Sequence, residues 1–314
     1  MTGPRPLLAL LGAVAALAAC AGEPTSPSAA RAESITAATI LARIAALADD
    51  SMLGRATPSP QLDGAALYAA RALAAFGLEP AFGAGYLQTW SERGFTSPNA
   101  AAVLPGADAQ LRAEVVVFVA HLDHIGTATS GQGCAADGAD SICNGADDDA
   151  SGSAAVLELA RAYAGLAPRP RRSMLFLLVS GEERGLLGST WYVANPAVPI
   201  ARTVAAVALD MISRNAPDSV RLRAVAVTAL DTLGLAVAAS HPELRLRPVI
   251  EYGGGSDHVP FAEAGVPSVA LFTGLHADYH RASDAVDRVD ADKAARVARL
   301  AFYLGLELAN RAGS

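Results

Sequence analysis

The sequence predicts an α/β fold: a three-layer α/β/α sandwich around a mostly parallel central sheet. Three observations lead there. Strand-like runs alternate with helical patterns along the 314 residues. Several of those runs are apolar at every position instead of alternate ones, which marks strands buried on both faces and covered by helices. Polar residues that carry chemistry follow the runs immediately, as ligands do at the carboxyl ends of parallel strands.

The elements follow in order. Ile35 to Leu47 has helical apolar spacing, with Ser34 as its expected N-cap. Ala65 to Phe76 is a second helix, stopped by Gly77. Glu114 to Ala120 is a buried strand rich in β-branched residues, and Ser151 to Leu166 a helix with Pro168 just beyond its end. Met174 to Val179 is a buried strand, followed by a short helix near Leu187 to Ala194 and a third strand at Val204 to Leu209. Arg221 to Thr228 and Leu246 to Ile250 read as strands around a helix at about Thr232 to Ala239. Ser268 to Phe272 is a further strand, and Asp292 to Asn310 closes the chain as an amphipathic helix.

Composition narrows the function classes. Hydrophobic types make up 52% of the chain and charged types 18%, so there is enough apolar material for a full core. The net charge of −7, without a long basic run, gives no footing for nucleic acid. Arg169, Arg171 and Arg172, flanking Pro170, read as a solvated loop before a strand.

The first twenty residues read as a targeting segment. Arg5 supplies the positive start, and Leu7 to Ala19 is apolar but too short to span a bilayer. The run ends in Leu17-Ala18-Ala19-Cys20, which resembles a bacterial lipobox, a signal whose cysteine is acylated and becomes the mature N-terminus. Residues 21–33 are then expected to be a flexible tether, Gly22 to Arg31 being rich in Pro, Ser and Ala, and 34–314 a single catalytic domain. The protein is thus expected to be exported, lipid-anchored to the envelope or secreted, touching membrane only through Cys20. Export leaves Cys134 and Cys143 in an oxidising compartment, where a disulfide is expected, contributing about 2–3 kcal/mol for so short a loop.

Five clusters carry the chemistry. His121-Leu122-Asp123 offers an imidazole ligand and a carboxylate placed to take its second ring N–H. Gly145-Ala146-Asp147-Asp148-Asp149-Ala150-Ser151-Gly152 puts three acids at a helix start, where they either complement the helix dipole or hold a cation. Adjacent Glu182 and Glu183, in Ser180-Gly181-Glu182-Glu183-Arg184-Gly185-Leu186-Leu187-Gly188-Ser189, splay apart on a turn, so one can bind metal while the other works as a base. Asp210 ends an apolar strand, where a lone carboxylate must be paired or coordinated. The last cluster is His276-Ala277-Asp278-Tyr279-His280, followed by Ser283-Asp284, with Ser256-Asp257-His258 upstream.

In this order the motifs resemble the secreted bacterial double-zinc aminopeptidases, a family that also includes glutamate carboxypeptidases and, more distantly, glutaminyl cyclases. The resemblance runs from about Ile35 to the C-terminus. It implies two Zn²⁺, one held by His121, Asp148 and Asp210 and the other by Asp148, Glu183 and His280, with Asp148 as the bridge. It also implies Glu182 as general base, Asp123 orienting His121, Tyr279 reaching the developing oxyanion, and Asp257 and His258 supporting the ligands or the substrate amine. Peptides with a free N-terminus are the implied substrates. The stretch between His121 and Asp148, which holds the two cysteines, is expected to wall the pocket. A carboxypeptidase or dipeptidase specificity, a glutaminyl-cyclase-like acyltransferase that works with one zinc, and a non-catalytic binding module are the rival readings. The lipobox reading has its own check: Cys20→Ala should abolish membrane association in cell fractionation, and unchanged association would refute it.

Overall fold

In chain order the strands are β1 (Glu79–Pro80), β2 (Leu87–Glu92), β3 (Phe95–Leu104), β4 (Val115–His121), β5 (Ser173–Val179), β6 (Thr203–Leu209), β7 (Ser219–Ala224), β8 (Arg247–Tyr252) and β9 (Ser268–Phe272). The helices are α1 (Pro27–Glu33), α2 (Ala37–Leu47), α3 (Pro60–Ala75), α4 (Ala150–Ala164), α5 (Leu187–Ala194), α6 (Ala229–Ser240), α7 (Val259–Glu263) and α8 (Ala291–Asn310). The structure, a computed structural model, describes residues 26–312 together with Met1 and Gly3. The apolar leader, Cys20 and the first part of the expected tether lie outside the described residues.

One sheet joins all nine strands in the order β1-β3-β5-β4-β6-β9-β7-β8, with β2 paired to β3. Its centre, β5-β4-β6-β9, is parallel, as the continuous apolar runs require. The flanks are mixed: β3 meets β5 and β7 meets β9 antiparallel. Alternating side chains separate two cores. Val116, Phe118 and Ala120 of β4 join the layer formed by α2, α3, α4 and α8. Val115, Val117 and Val119 face the other way, toward Tyr192 of α5 and Phe261 of α7. The strand is buried at all seven positions because both faces carry helices.

The structure corrects several sequence expectations. Ser34 does not cap α2: it follows α1 as its C-cap, and the N-cap of α2 is Thr36, in a reciprocal capping box with Thr39. The expected tether is helical from Pro27 to Glu33, capped by Ser26, and Ala32 on it is buried. Arg171 and Arg172 are not simply solvated. Arg171 pairs with Asp108, and the nearly buried Arg172 pairs with Glu114 at 2.6 Å. The hairpin β2–β3 was not expected. Its turn, Arg93-Gly94, carries two positive φ angles, but β3 is alanine-rich and contains Pro98, so it lacks the β-branched signature of a strand.

One buried cation ties the early chain to the active edge. Arg55 is 1% exposed, and its guanidinium donates to the carbonyls of Leu47, Leu122, Asn144 and Gly145. It thereby clamps the end of α2 to the two loops that follow β4 and precede α4. Burial lowers its pKa to about 10, opposed by Asp123 and its acidic neighbours, so it stays charged at neutral pH. Arg55→Met would leave these carbonyls buried and unpaired, at about 1–3 kcal/mol for each unsatisfied group. A denaturant melt of the variant should show a loss of at least ~3 kcal/mol; a loss within error would show that the clamp is not structural.

Candidate metal centre

The chain crosses from β4 through α4 to β5 on one side, then returns past β4 to β6 on the other. This reversal opens a crevice beyond the carboxyl ends of the three strands, where ligands bind in such sheets. His121 is the last residue of β4, Glu182 and Glu183 follow β5 by two residues, and Asp210 follows β6 directly. The loop before α4 brings Asp148, and the loop after β9 brings His280.

These side chains form two sets that share one carboxylate. His121 Nε2 lies 3.5 Å from Asp148 Oδ1 and 4.0 Å from Asp210 Oδ1. His280 Nε2 lies 3.4 Å from Asp148 Oδ2 and 3.2 Å from Glu183 Oε2. His124, which the sequence reading passed over, joins the second set, its Nδ1 2.9 Å from Glu183 Oε1 and 3.5 Å from Asp148 Oδ2. Within each set the donor atoms all lie within 4.8 Å of one another. Asp148 Oδ2 and His280 Nε2 are buried without a hydrogen-bond partner. Tetrahedral zinc with nitrogen and oxygen ligands would hold neighbouring donors roughly 3.3 Å apart. The observed spacings fit a divalent cation in each set, and the two orphaned atoms add to the case for the His280 set.

The three consecutive acids before α4 divide the work. Asp147 accepts from Ser213 N at 2.8 Å and Ser151 Oγ at 3.1 Å. Asp149 caps α4 at Gly152 N and also accepts from His121 N and Met211 N, pinning the ends of β4 and β6. Asp148 alone turns both oxygens toward the imidazoles. Asp149 thus serves the helix start, and Asp148 is the acid placed among donors that could hold a cation. Asp284 supports the loop by accepting from the amides of Asp147 and Asp148.

Asp123 serves a different partner from the one expected. Its carboxylate accepts from Thr57 Oγ1 at 2.9 Å and from the amides of Glu182 and Glu183 at 3.2 and 3.3 Å. The nearer acceptor for His121 Nδ1 is the Asp123 carbonyl, at 3.1 Å, against 3.7 Å for the carboxylate. Asp123 therefore orients the glutamate turn with its side chain and His121 with its backbone. The same turn is held from behind by Trp90 Nε1 and Asn99 Oδ1, both on Ser180. Gly181 enters it at φ +78°, where an added Cβ would lie 2.9 Å from the Trp90 ring.

The expected wall built from the residues between His121 and Asp148 does not line the cleft. Cys134 and Cys143 are bonded, with Cα atoms 5.7 Å apart, and the loop packs behind His280. Ala135 N donates to His280 O, and Ala282 N to Ala135 O. His280 sits at φ +59°, a left-handed conformation costly for a side chain with a Cβ, so this bracing holds its ring in place.

The cleft itself is small, about 70 Å³. His121, Asp148, Glu182, Glu183 and Asp210 line it, and Tyr279 and Arg223 stand beside them. Two larger hollows, one around Glu114 and Arg172 and one around Asp218 and Arg247, contain none of the cluster. Tyr279 is stacked on His280, ring centroids 3.8 Å apart. Asp257 and His258 are buried, and neither side chain has a hydrogen-bond partner.

Burial, with neighbouring charge, perturbs several groups here. Burial raises the Glu182 pKa well above the usual carboxylate range, and Asp257, Asp210 and Glu183 push it further while His121 opposes. Burial likewise carries Asp210 to about 6 and Asp257 to about 7. For Glu183, burial is outweighed by hydrogen bonds from His124 and His280, and its pKa falls. Burial would lower His280, yet Asp148 and Glu183 lift it to about 10. His258 is lowered to about 4 by burial, with Arg223 adding, so its ring is neutral.

The sequence matches Peptidase family M28 over residues 99–305, well over half the chain. It is similar to leupeptin-inactivating enzyme 1 of Streptomyces exfoliatus, 33% identical over 200 residues that make up 62% of this chain and 39% of that protein. The chain therefore spans about two fifths of that relative's length. In fold it is similar to the aminopeptidase from Aneurinibacillus sp. strain AM-1, with a TM-score of 0.73 at 17% identity, over 91% of this chain and 97% of that one. The glutaminyl cyclase of Porphyromonas gingivalis superposes with a TM-score of 0.70 at 19% identity, over 86% and 97%. Backbone likeness thus does not separate the two chemistries, whereas the match over residues 99–305 fixes the family: the chain belongs to peptidase family M28.

Proposed function

We propose that the protein is a dinuclear zinc exopeptidase that removes single residues from the free N-termini of peptides. The observation that carries this reading is the pair of donor sets sharing Asp148, with the unligated carboxylate of Glu182 beside them in one cleft. His121, Asp148 and Asp210 would hold one ion, and Asp148, Glu183 and His280 the other. Zinc in these positions acidifies water and polarises a carbonyl.

Glu182 takes the proton of the attacking water and returns it to the leaving amine. Burial raises its pKa above the usual carboxylate range, which helps it hold the proton between the two transfers. Tyr279 faces the cleft with a pKa pushed up by burial and by Asp148 and Glu183, so its hydroxyl stays protonated and can donate to the developing oxyanion. A cleft of about 70 Å³ suits a chain terminus better than a peptide running through. Two donor sets argue against a one-zinc acyltransferase. The sequence reading of the leader adds to the proposal that the protein is exported, either lipid-anchored through Cys20 or secreted.

One observation favours a second specificity. The Arg223 guanidinium lines the cleft, lying over the Phe272 ring at 4.0 Å, and could meet a substrate carboxylate as a carboxypeptidase requires. Glu251 already binds it through Nε and Nη2, at 3.0 and 2.8 Å, which partly neutralises it and favours the aminopeptidase reading.

Peptides offered with free and with acetylated N-termini separate these readings, using protein as purified, after chelation and after zinc restoration. Zinc-dependent loss of single residues from free N-termini only is the expected result. Cleavage indifferent to acetylation would move the specificity to the carboxyl end, and no cleavage with two zincs bound would remove the peptidase reading. Glu182→Gln should lower kcat by about 10²–10⁴-fold while both zincs remain bound. Near-normal turnover in that variant would show that another group is the base.

A further inference from the structure

We infer that His124 is a metal ligand in its own right, giving the Glu183–His280 position four protein donors and leaving the His121–Asp210 position with three. The inference rests on the dinuclear reading above and deepens it. The donor set implied by the resemblance gives each ion one histidine; this chain folds a second one into one of the two sets.

The geometry offers four donor residues around one position, with one ligand atom from each lying within 4.8 Å of the others. His124 is fully buried. Its Nδ1 stands 3.5 Å from Asp148 Oδ2, His280 Nε2 stands 3.4 Å from the same oxygen, and His280 Nε2 is 3.2 Å from Glu183 Oε2. Each spacing is close to the roughly 3.3 Å edge of a tetrahedron of zinc donors. The fourth, Nδ1 to Glu183 Oε1, is 2.9 Å. The two imidazoles meet nearly edge to face, centroids 5.5 Å apart and planes at 74°, so they approach the carboxylates from different directions.

The His124 ring is also positioned from behind. Its amide donates to the carbonyl of Arg55, the residue that clamps the neighbouring loops. Gly145 lies against the ring, and a Cβ there would fall 2.5 Å from His124 Cγ. Nε2 is buried with no partner. Nδ1 lies 2.9 Å from Glu183 Oε1, a spacing that a ring N–H donating to the carboxylate or a cation held by both atoms would each give.

The consequence is an asymmetric centre. Four protein donors make a closed, structural position, whereas three leave room for substrate and water. The lining of the cleft agrees. His121, Asp148, Asp210 and Glu183 line it beside Glu182, whereas neither His124 nor His280 does. The reacting atoms then belong on the His121–Asp210 side, next to the base, and the Glu183–His280 position holds its ion more tightly.

The test uses the full chain with ¹⁵N-labelled histidine, stripped of metal and reloaded with ¹¹³Cd. Cadmium reports each bound ring nitrogen by direct spin coupling, and the rings are assigned through bonds. Three coupled histidines, His121, His124 and His280, are expected. His124→Gln should retain two, and chelator competition should show one of the two zinc sites weakened at least 100-fold while the other changes less than threefold. Two bound ions with only His121 and His280 coupled would overturn the inference, leaving His124 as a hydrogen-bond donor to Glu183. A single bound ion, or none, would overturn the dinuclear reading as well. The wild-type spectrum decides the matter even if the variant does not fold.

Discussion

Like charge at the carboxyl ends of β4, β5 and β6 is the constraint on which the rest of the molecule depends. Asp148, Glu182, Glu183, Asp210 and Asp257 converge within and around one small crevice, with Asp123, Asp147, Asp149 and Asp284 packed against it. Taking a carboxylate out of water costs several kcal/mol unless it is paired or hydrogen-bonded. Arg55 is a fully buried cation beside these acids, and its guanidinium hydrogen bonds go to backbone carbonyls. The compensation instead comes in two forms. Asp123, Asp149 and Asp284 are satisfied by main-chain amides, which fixes the loops that carry them. The acids turned toward His121, His124 and His280 have no such amides, and the proposed divalent cation in each donor set would supply what they lack.

The sheet makes this arrangement tolerable. A parallel centre buried on both faces is rigid, and its strands end in register at one edge, so residues far apart in sequence meet without long excursions. The two packing layers are unequal. α2, α3, α4 and α8 cover one face with a broad aliphatic layer. The other face is covered more thinly around Tyr192 and Phe261, on α5 and α7. Those two short helices follow the glutamate turn and the Asp257-His258 pair, so the thinner layer is also the one that positions functional loops.

Much of this was legible in the sequence where chemistry and local pattern coincide. The buried strands, α5, and the placement of His121, Glu183, Asp210 and His280 beyond strand ends could be read from apolar runs interrupted by single polar residues. What escaped had no local pattern. The β2–β3 hairpin is alanine-rich and holds a proline, yet its Trp90 and Asn99 fix the glutamate turn through Ser180. Arg55 and Thr57 reach the site across more than sixty residues of sequence, and only folding reveals them. His124 is the instructive omission. It follows the His121-Leu122-Asp123 motif directly, and a rule that looks for one imidazole per ion passes over the second. The early helix α1 was missed for the opposite reason, since a run rich in Pro, Ser and Ala reads as a tether until Ser26 is seen to cap it.

Adjacent identical residues doing different jobs is the pattern that links these points. Asp147, Asp148 and Asp149 hold a serine amide, the imidazoles and a helix start in turn. Glu182 and Glu183, adjacent in sequence, have pKa values driven in opposite directions, the first up by burial and the second down by hydrogen bonds from His124 and His280. Backbone direction, more than residue type, decides which carboxylate faces the cleft. This is why a fold shared by aminopeptidases and a glutaminyl cyclase does not by itself fix the reaction. The distinguishing quantity is how many donors each position presents and which side is left open. In the centre proposed for this chain the closed side would be built from His124, Asp148, Glu183 and His280, with the disulfide loop hydrogen-bonded to the His280 segment. The open side is built from His121 and Asp210, where the strands end and where Glu182 stands.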